Sequence, residues 1–299
     1  MENGAWAGTL WRLLRPHTLT ASFVPVLTGS VLALPDGRFR LGQAVMMGLA
    51  SVLLQGAVNM FNEYHDYCRG LDHANTVGIG GAIVRDGMTP RQVFGLAVVC
   101  VAVAALLGIQ IMRESSWQIL PWAIACMAVG YLYSGGPYPI SATPFGELAA
   151  GACMGFGIIG IAYFIHAMTL PLRVFLFATA PAVLIGAILM ANNIRDLDED
   201  RQHGRKTIAV LAGRMKAVGI LAGMLLTAYL WIAGLVAIRI ASPWTLLVLL
   251  SVPKALTAIR IFRRETTPGA LMPAMAATAQ VNTLFGLLLA TGLLLAEVL

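Results

Sequence analysis

Charge is scarce in this sequence. Only 11% of its 299 residues are Asp, Glu, Lys or Arg, against about 25% in an average soluble domain. Hydrophobic residues make up 58%, and the mean hydropathy is +0.78. Such a chain is solvated mostly by lipid. Paired cysteines are also missing. Cys68, Cys100, Cys126 and Cys153 form no CxxC pair, and three of them lie in apolar runs. They read as packing residues, not as metal ligands or disulfides. The opening MENGAWAGTLWRLLRP lacks a basic stretch followed by a clean apolar run and a small-residue cleavage site. No cleavable signal peptide is therefore expected. No basic helix stands outside the apolar runs. The net charge of +6 accordingly implies no nucleic-acid partner.

What is present is a series of long apolar runs. A spanning helix needs about 20 mostly apolar residues. Nine segments qualify: 17–35, 42–64, 93–112, 117–134, 146–167, 173–194, 217–238, 243–261 and 275–297. The expected fold is all-α, a polytopic membrane protein with nine transmembrane helices in one bundle, forming a single domain over 1–299. The weakest runs are the first, with His17 and Pro25, and the eighth, with Pro253 and Lys254. Charge gives the orientation. With the N-terminus in the cytoplasm, the far face keeps only Arg38, Arg40, Arg113, Arg173 and Arg239, and the other 15 of the 20 Lys and Arg are cytoplasmic. The positive-inside rule predicts that bias.

Two acidic stretches land on the cytoplasmic face. NMFNEYHDYCRGLD (59–72) follows the second run, and NNIRDLDEDRQHGRKT (192–207) follows the sixth. Asn192, Asp196 and Asp200 are four apart, and so are Asn62 and Asp66. That step keeps side chains on one helical face. Gly70 is placed to end the helix and fold the chain back toward Asp72. The likeness suggests a duplicated helix-and-loop unit.

Carboxylates held close repel, and burial worsens the conflict. A divalent cation removes it. Magnesium takes one or two carboxylates and completes its shell with water and phosphate oxygens. Arg69, Arg85, Arg195, Arg205 and Lys206 flank the acids and suit phosphate. Acid for metal and base for phosphate, interleaved in the same loops, point to a diphosphate clamped between metal ions. Asp198 and Glu199 point off the shared face and read as solvated surface. Asn59, Asn62, Asn192 and Asn193 sit near membrane depth, where polar side chains are functional by default. A transporter would place such groups near the bilayer midplane on broken helices. Clusters at helix ends on one side favour surface chemistry, and a plain scaffold leaves them unexplained.

These residues carry a resemblance. NEYHDYCRGLD (62–72), NNIRDLDEDRQHGRKTIAVLAG (192–213), RPHTLTASFVPVLTGSVLA (15–33) and YLYSGGPYPIS (131–141) resemble the motifs of the UbiA-type intramembrane prenyltransferases. The resemblance takes in essentially the whole chain. It implies nine helices around a central cavity, Mg2+ as cofactor, and an active site on the cytoplasmic side of the cell membrane. The step from Asp66 to Asp72 resembles the menaquinone branch in particular. That branch implies transfer of a polyprenyl chain from polyprenyl diphosphate to 1,4-dihydroxy-2-naphthoate. Pyrophosphate and carbon dioxide leave, and the product is a demethylmenaquinol. The alternative is another aromatic acceptor, such as 4-hydroxybenzoate or homogentisate.

By the same resemblance, Asn62, Asp66, Asp72, Asn192, Asp196 and Asp200 hold magnesium, and Arg69, Arg85, Arg205 and Lys206 contact the diphosphate. Asp66, Asp72, Asp196, Asp200 and Tyr133 carry the catalysis, and Asn59 and Ser134 bind substrate. Tyr133 reads equally as an interfacial anchor. Glu63 stands where many members have Asp, which keeps a carboxylate with a longer reach. GIGGAIVRDG (78–87) lacks the spacing of a nucleotide-binding loop. It reads as a flap over the diphosphate or as a plain flexible loop. The prenyl tail is expected in a groove open to membrane lipid, lined by the first, second, fifth and ninth spans.

Overall fold

The computed structural model describes residues 3–36, 39–72 and 81–299. Only the 81–87 part of the glycine-rich loop therefore falls within it. The helices are α1 (Asn3–Leu14), α2 (Pro16–Leu32), α3 (Leu41–Cys68), α4 (Pro90–Glu114) and α5 (Leu120–Ser134). Then follow α6 (Gly146–Ala167), α7 (Leu172–Arg195), α8 (Leu197–Gln202), α9 (Ile208–Ala212), α10 (Arg214–Ala237), α11 (Pro243–Arg264) and α12 (Pro268–Val298). Among the described residues there is no strand. Among the described residues, eight helices are long and apolar enough to cross a membrane. The protein is a multi-pass membrane protein.

The run expected at 117–134 is the short one. Its α-helical part, α5, has 15 residues, preceded by a single 3-10 turn over Trp117–Ile119. At about 1.5 Å per α residue and about 2 Å per 3-10 residue the two reach about 28 Å. That is close to the hydrocarbon thickness of about 30 Å. The prolines of the eighth run are tolerated because α11 starts as a 3-10 segment, Pro243–Ser251, and becomes α-helical only at Val252. Pro253 then sits in a first turn, where its missing N–H has no partner to lose. α12 begins earlier than the apolar run does, and it too opens on a first-turn proline, Pro268.

Alternating helices sort the polar residues to two ends. At the end away from the acidic stretches, Asp36 accepts hydrogen bonds from Tyr163 (2.5 Å) and Arg173 (3.0 Å), and Arg40 donates to the Glu114 carbonyl (2.8 Å). α7 is the buried axle of the bundle. It buries residues along its length from Val174 to Ile194 against α6, α10 and α12. The α6 contact is backbone-close. A Cβ on Gly151 would stand 2.7 Å from the Ala182 carbonyl oxygen, and one on Gly155 would overlap the Ala182 Cα. The α6 stretch Gly151–Gly157 is π-helical, a wider turn that lets the glycines face α7. Small residues at such seams allow helices to approach where lipid offers no hydrophobic drive.

Gly155→Leu puts side-chain atoms where Ala182 backbone lies, and overpacking of this kind costs about 1–3 kcal/mol. Thermal unfolding in detergent should show a lowered Tm for that variant. Gly219→Leu on α10, with open space around its Cβ position, should leave Tm unchanged.

Candidate active site

Both acidic stretches end their helices the same way. After Asp66 the chain turns at Gly70 (φ +71°), with Gly70 N–H bonded to the Tyr67 carbonyl and Leu71 N–H to the Asp66 carbonyl. After Asp200 it turns at Gly204 (φ +71°), with Gly204 N–H bonded to the Arg201 carbonyl and Arg205 N–H to the Asp200 carbonyl. Each pair of bonds is a Schellman cap, and each glycine supplies the left-handed residue it requires. The duplication thus has a register the side-chain spacing did not give. Asp66 corresponds to Asp200, four residues before a turning glycine, and not to Asp196.

The two aspartates meet. Arg205 donates to Asp66 Oδ1 (2.9 Å) through Nη2 and to Asp200 Oδ1 (3.1 Å) through Nη1. A single guanidinium therefore bridges the acids of both motifs, across 139 residues of chain in one case. The other oxygen of Asp66 accepts from Asn62 Nδ2 (2.9 Å), which also donates to Ser134 Oγ (3.1 Å). Arg15 donates to Asn62 Oδ1 (3.3 Å) from a left-handed backbone (φ 53°). A non-glycine residue in that conformation is strained and is held there by its surroundings.

These groups stand at the head of a cavity of about 730 Å³. Asn59, Asn62, Asp66, Asp72, Arg85, Tyr133, Asn192, Asp196, Asp200 and Arg205 all line it. So do Arg15, Asn193, Arg195 and Glu199. Its deeper walls come from α2 to α7 and are apolar; α12, the ninth expected span, contributes no residue to it.

Three expected site residues lie off the cavity. Arg69 is exposed and donates to the carbonyls of Ser134 (2.6 Å) and Gly136 (2.8 Å), fastening the end of α3 to the loop after α5. Lys206 is exposed, and its backbone N–H bonds the Ala142 carbonyl (2.8 Å). Ser134 is fully buried behind Asn62. Asn59 is on the wall but occupied, donating to the Leu14 carbonyl (2.9 Å) and Thr18 Oγ1 (3.2 Å). Asp196 lies where the helix bends. Its carboxylate faces its neighbour Arg195, with bonds of 2.5 and 2.6 Å, and not the Arg205 bridge. Asp198 is exposed and pairs with Arg214 (3.4 Å), as a solvated residue does, whereas Glu199 faces the cavity.

Glu63 has a different task from the acids around it. Buried, it accepts from the N–H groups of Gly81 (3.0 Å) and Ile83 (3.1 Å). It therefore ties the 81–87 loop down, and Arg12 adds a second tie through Asp86 (2.8 Å). Behind Tyr133, the buried Glu147 accepts from Asn193 Nδ2 (2.8 Å). Sequence spacing gave no signal for Arg15, Glu63 or Glu147 in these positions, since every partner is remote in the chain.

The UbiA prenyltransferase family model matches residues 22–272. The chain belongs to the UbiA prenyltransferase family. It is 48% identical to the 1,4-dihydroxy-2-naphthoate octaprenyltransferase of Bacillus subtilis (strain 168), over 96% of this chain and 92% of the relative. The Escherichia coli (strain K12) protein of the same name is 27% identical over 95% of this chain and 94% of its own. In fold, the UbiA protein resembles a UbiA homolog from Archaeoglobus fulgidus bound to GPP and Mg2+. The TM-score is 0.66 at 16% identity, covering 94% of this chain and 99% of the other. An apo UbiA homolog from Aeropyrum pernix K1 gives 0.67 at 16% identity, over 94% and 98%.

The donor set fits magnesium. Among the described residues no three His, Cys, Asp or Glu side chains close on one point. Two facing carboxylates with asparagine oxygens nearby suit an ion that keeps water and takes phosphate oxygens. Arg205 supplies the positive charge between them in this structure. Burial pushes Asp200 up to about 6, against the pull of Arg205, and pushes Asp72 up to about 6, helped by the charge of Asp66. Unfolded aspartates titrate near about 3.9. The folded protein therefore favours the protonated forms. These two groups stabilise the metal-free fold most at low pH, and that contribution is lost as pH rises through about 6.

In detergent without divalent ions, Tm should fall as pH rises from 5 to 7.5 through the titration of these two groups near 6. Added Mg2+ should restore Tm at the upper end and have little effect at the lower end.

Proposed function

We propose that this protein transfers a polyprenyl chain from polyprenyl diphosphate to 1,4-dihydroxy-2-naphthoate, releasing pyrophosphate and carbon dioxide and giving a demethylmenaquinol. The supporting observation is the match of nearly the whole chain to a relative with that activity in its name, joined to an acid-and-arginine head on an apolar cavity. We take 1–299 as one catalytic unit. The cytoplasmic face is the side of the acidic stretches, on the strength of the basic-residue bias.

Asn62, Asp66, Asp72, Asn192, Asp196 and Asp200 are proposed to hold Mg2+. The ion would supply a Lewis acid that neutralises charge on the diphosphate. Arg205 gives up its bridge between Asp66 and Asp200 as the diphosphate arrives and donates to its oxygens. Arg85 and Arg15 reach the same head of the cavity and add charge where it builds during departure. The allylic C–O bond breaks, and the bonding pair leaves with pyrophosphate. The electron-rich ring carbon bearing the carboxylate forms the new C–C bond. Loss of carbon dioxide returns the C–C pair to the ring and restores aromaticity. Tyr133, on the wall beside the acids, is proposed to orient the acceptor. The apolar walls keep water from the allylic cation.

Purified protein in bilayers, given 1,4-dihydroxy-2-naphthoate and a prenyl diphosphate, should yield a product whose mass lacks carbon dioxide and carries the prenyl chain. A panel with 4-hydroxybenzoate and homogentisate should give none. Asp66→Ala and Asp196→Ala should each lower Mg2+-dependent turnover by about 100-fold or more. Normal turnover in either folded variant rejects its assigned role.

A further inference from the structure

We infer that Asn193, held in one orientation by Glu147, reads the aromatic acceptor by accepting a hydrogen bond from its free ring hydroxyl. The inference deepens the function proposed above and rests on it. Glu147 is costly where it stands. It is buried in the first turn of α6. One oxygen, Oε2, is inaccessible and has no partner among the described residues. The other accepts from Asn193 Nδ2 at 2.8 Å. A single hydrogen bond does not repay the burial of a carboxylate, and two apolar side chains would fill the same space at less cost. What the carboxylate does achieve is to orient an amide.

An asparagine has one donor end and one acceptor end, and which faces a neighbour depends on that neighbour. An ionised carboxylate only accepts, and the first turn of a helix favours the ionised form. Nδ2 therefore faces Glu147, and Oδ1 faces away from it. Asn193 lines the cavity and Glu147 does not. Asn193 Oδ1 takes no hydrogen bond among the described residues. The pair is fixed by backbone packing as well. Gly186 stands two turns before Asn193 on α7, and a Cβ there would be 3.1 Å from the Glu147 carbonyl oxygen.

A fixed amide oxygen repels a diphosphate and accepts an O–H. Its neighbour on the wall suits the same ligand. Tyr133 lines the cavity, and its hydroxyl would be 3.7 Å from a Cβ on Gly146, the residue before Glu147. In 1,4-dihydroxy-2-naphthoate the 1-hydroxyl stands beside the carboxylate and donates to it internally. The 4-hydroxyl is the free donor, and Asn193 Oδ1 accepts it. Holding that hydroxyl fixes the rotation of the ring, so that the carbon bearing the carboxylate meets the allylic carbon. Asn193 touches the acceptor, and Glu147 is a positioning residue that acts through it.

The test compares two acceptors in proteoliposomes with one prenyl diphosphate and Mg2+. They are 1,4-dihydroxy-2-naphthoate and 1-hydroxy-2-naphthoate, which lacks only the 4-hydroxyl. Their intrinsic difference in reactivity is common to every variant, so a change in the ratio of their kcat/KM values isolates the contact. In Glu147→Gln the new amide can meet Asn193 with either end, which frees Asn193 to turn. The ratio should fall roughly fivefold or more, with KM for the donor unchanged. The exchange Glu147→Gln with Asn193→Asp reverses the hydrogen bond and returns an acceptor oxygen to the cavity. The ratio should recover to within about threefold of its unaltered value. Asn193→Ala deletes the oxygen itself and carries the same expected fall if Glu147→Gln is too unstable to assay. An unchanged ratio in the single variants overturns the inference, whether or not turnover falls, and leaves the proposed function standing. So does an exchange no better than Glu147→Gln alone. If the unaltered protein prenylates neither acceptor, the proposed function fails and this contact fails with it.

Discussion

Two aspartates from distant parts of the chain, Asp200 buried and Asp66 part-buried, face each other, and once both are ionised only a positive charge between them makes that arrangement tenable. Asp66 and Asp200 are held within hydrogen-bond reach of one guanidinium, that of Arg205. Removing one partner from a buried ion pair costs about 3–5 kcal/mol. The site is therefore built to hold cationic charge, and what supplies it can be exchanged. A guanidinium serves when the head of the cavity is empty of anions. In the function proposed here, a metal ion with a diphosphate would satisfy the same carboxylates and leave the arginine free to bind phosphate.

The rest of the fold serves that constraint. Asp66 is carried by the last turn of α3, and Asp200 by the short helix that follows the buried axle, α7. Twin Schellman caps fix where each carboxylate stands. Backbone-close glycine contacts hold α6 against α7, so Glu147 meets Asn193 beside the acids. Glu63 and Arg12 hold the 81–87 loop over the same head. The apolar depth of the cavity lowers the local dielectric, which strengthens every charge interaction at its mouth. Embedding the site in a membrane protein gives a lipid product somewhere to go.

The helices and the acidic stretches were legible because their signals are local. Long apolar runs, Gly70, and acids four apart can be read along the chain without tertiary knowledge. The short run 117–134 was also visible, although its helix is completed by a 3-10 turn. Equal spacing of Asn192, Asp196 and Asp200 suggested one continuous face. The bend at Asp196 turns that carboxylate to Arg195 and leaves Asp200 to meet Asp66. Arg69 and Lys206 looked like phosphate ligands by proximity in sequence, yet both are exposed and neither lines the cavity. Arg15 and Glu147 gave no signal because their partners are far off in the chain, and Glu63, kept as a carboxylate by the resemblance, ties down the 81–87 loop instead. The ninth span drops out of the cavity wall because its glycine and threonine contacts seal it against α2.

The most direct measurement is a double-mutant cycle on binding of a non-transferable prenyl thiodiphosphate with Mg2+, using Asp66→Asn, Asp200→Asn and the pair. A shared charge site predicts strong coupling, above about 1 kcal/mol, with the double variant scarcely weaker than either single one. Additive losses would mean that the two aspartates act at separate places, and the account of one converged site would be wrong.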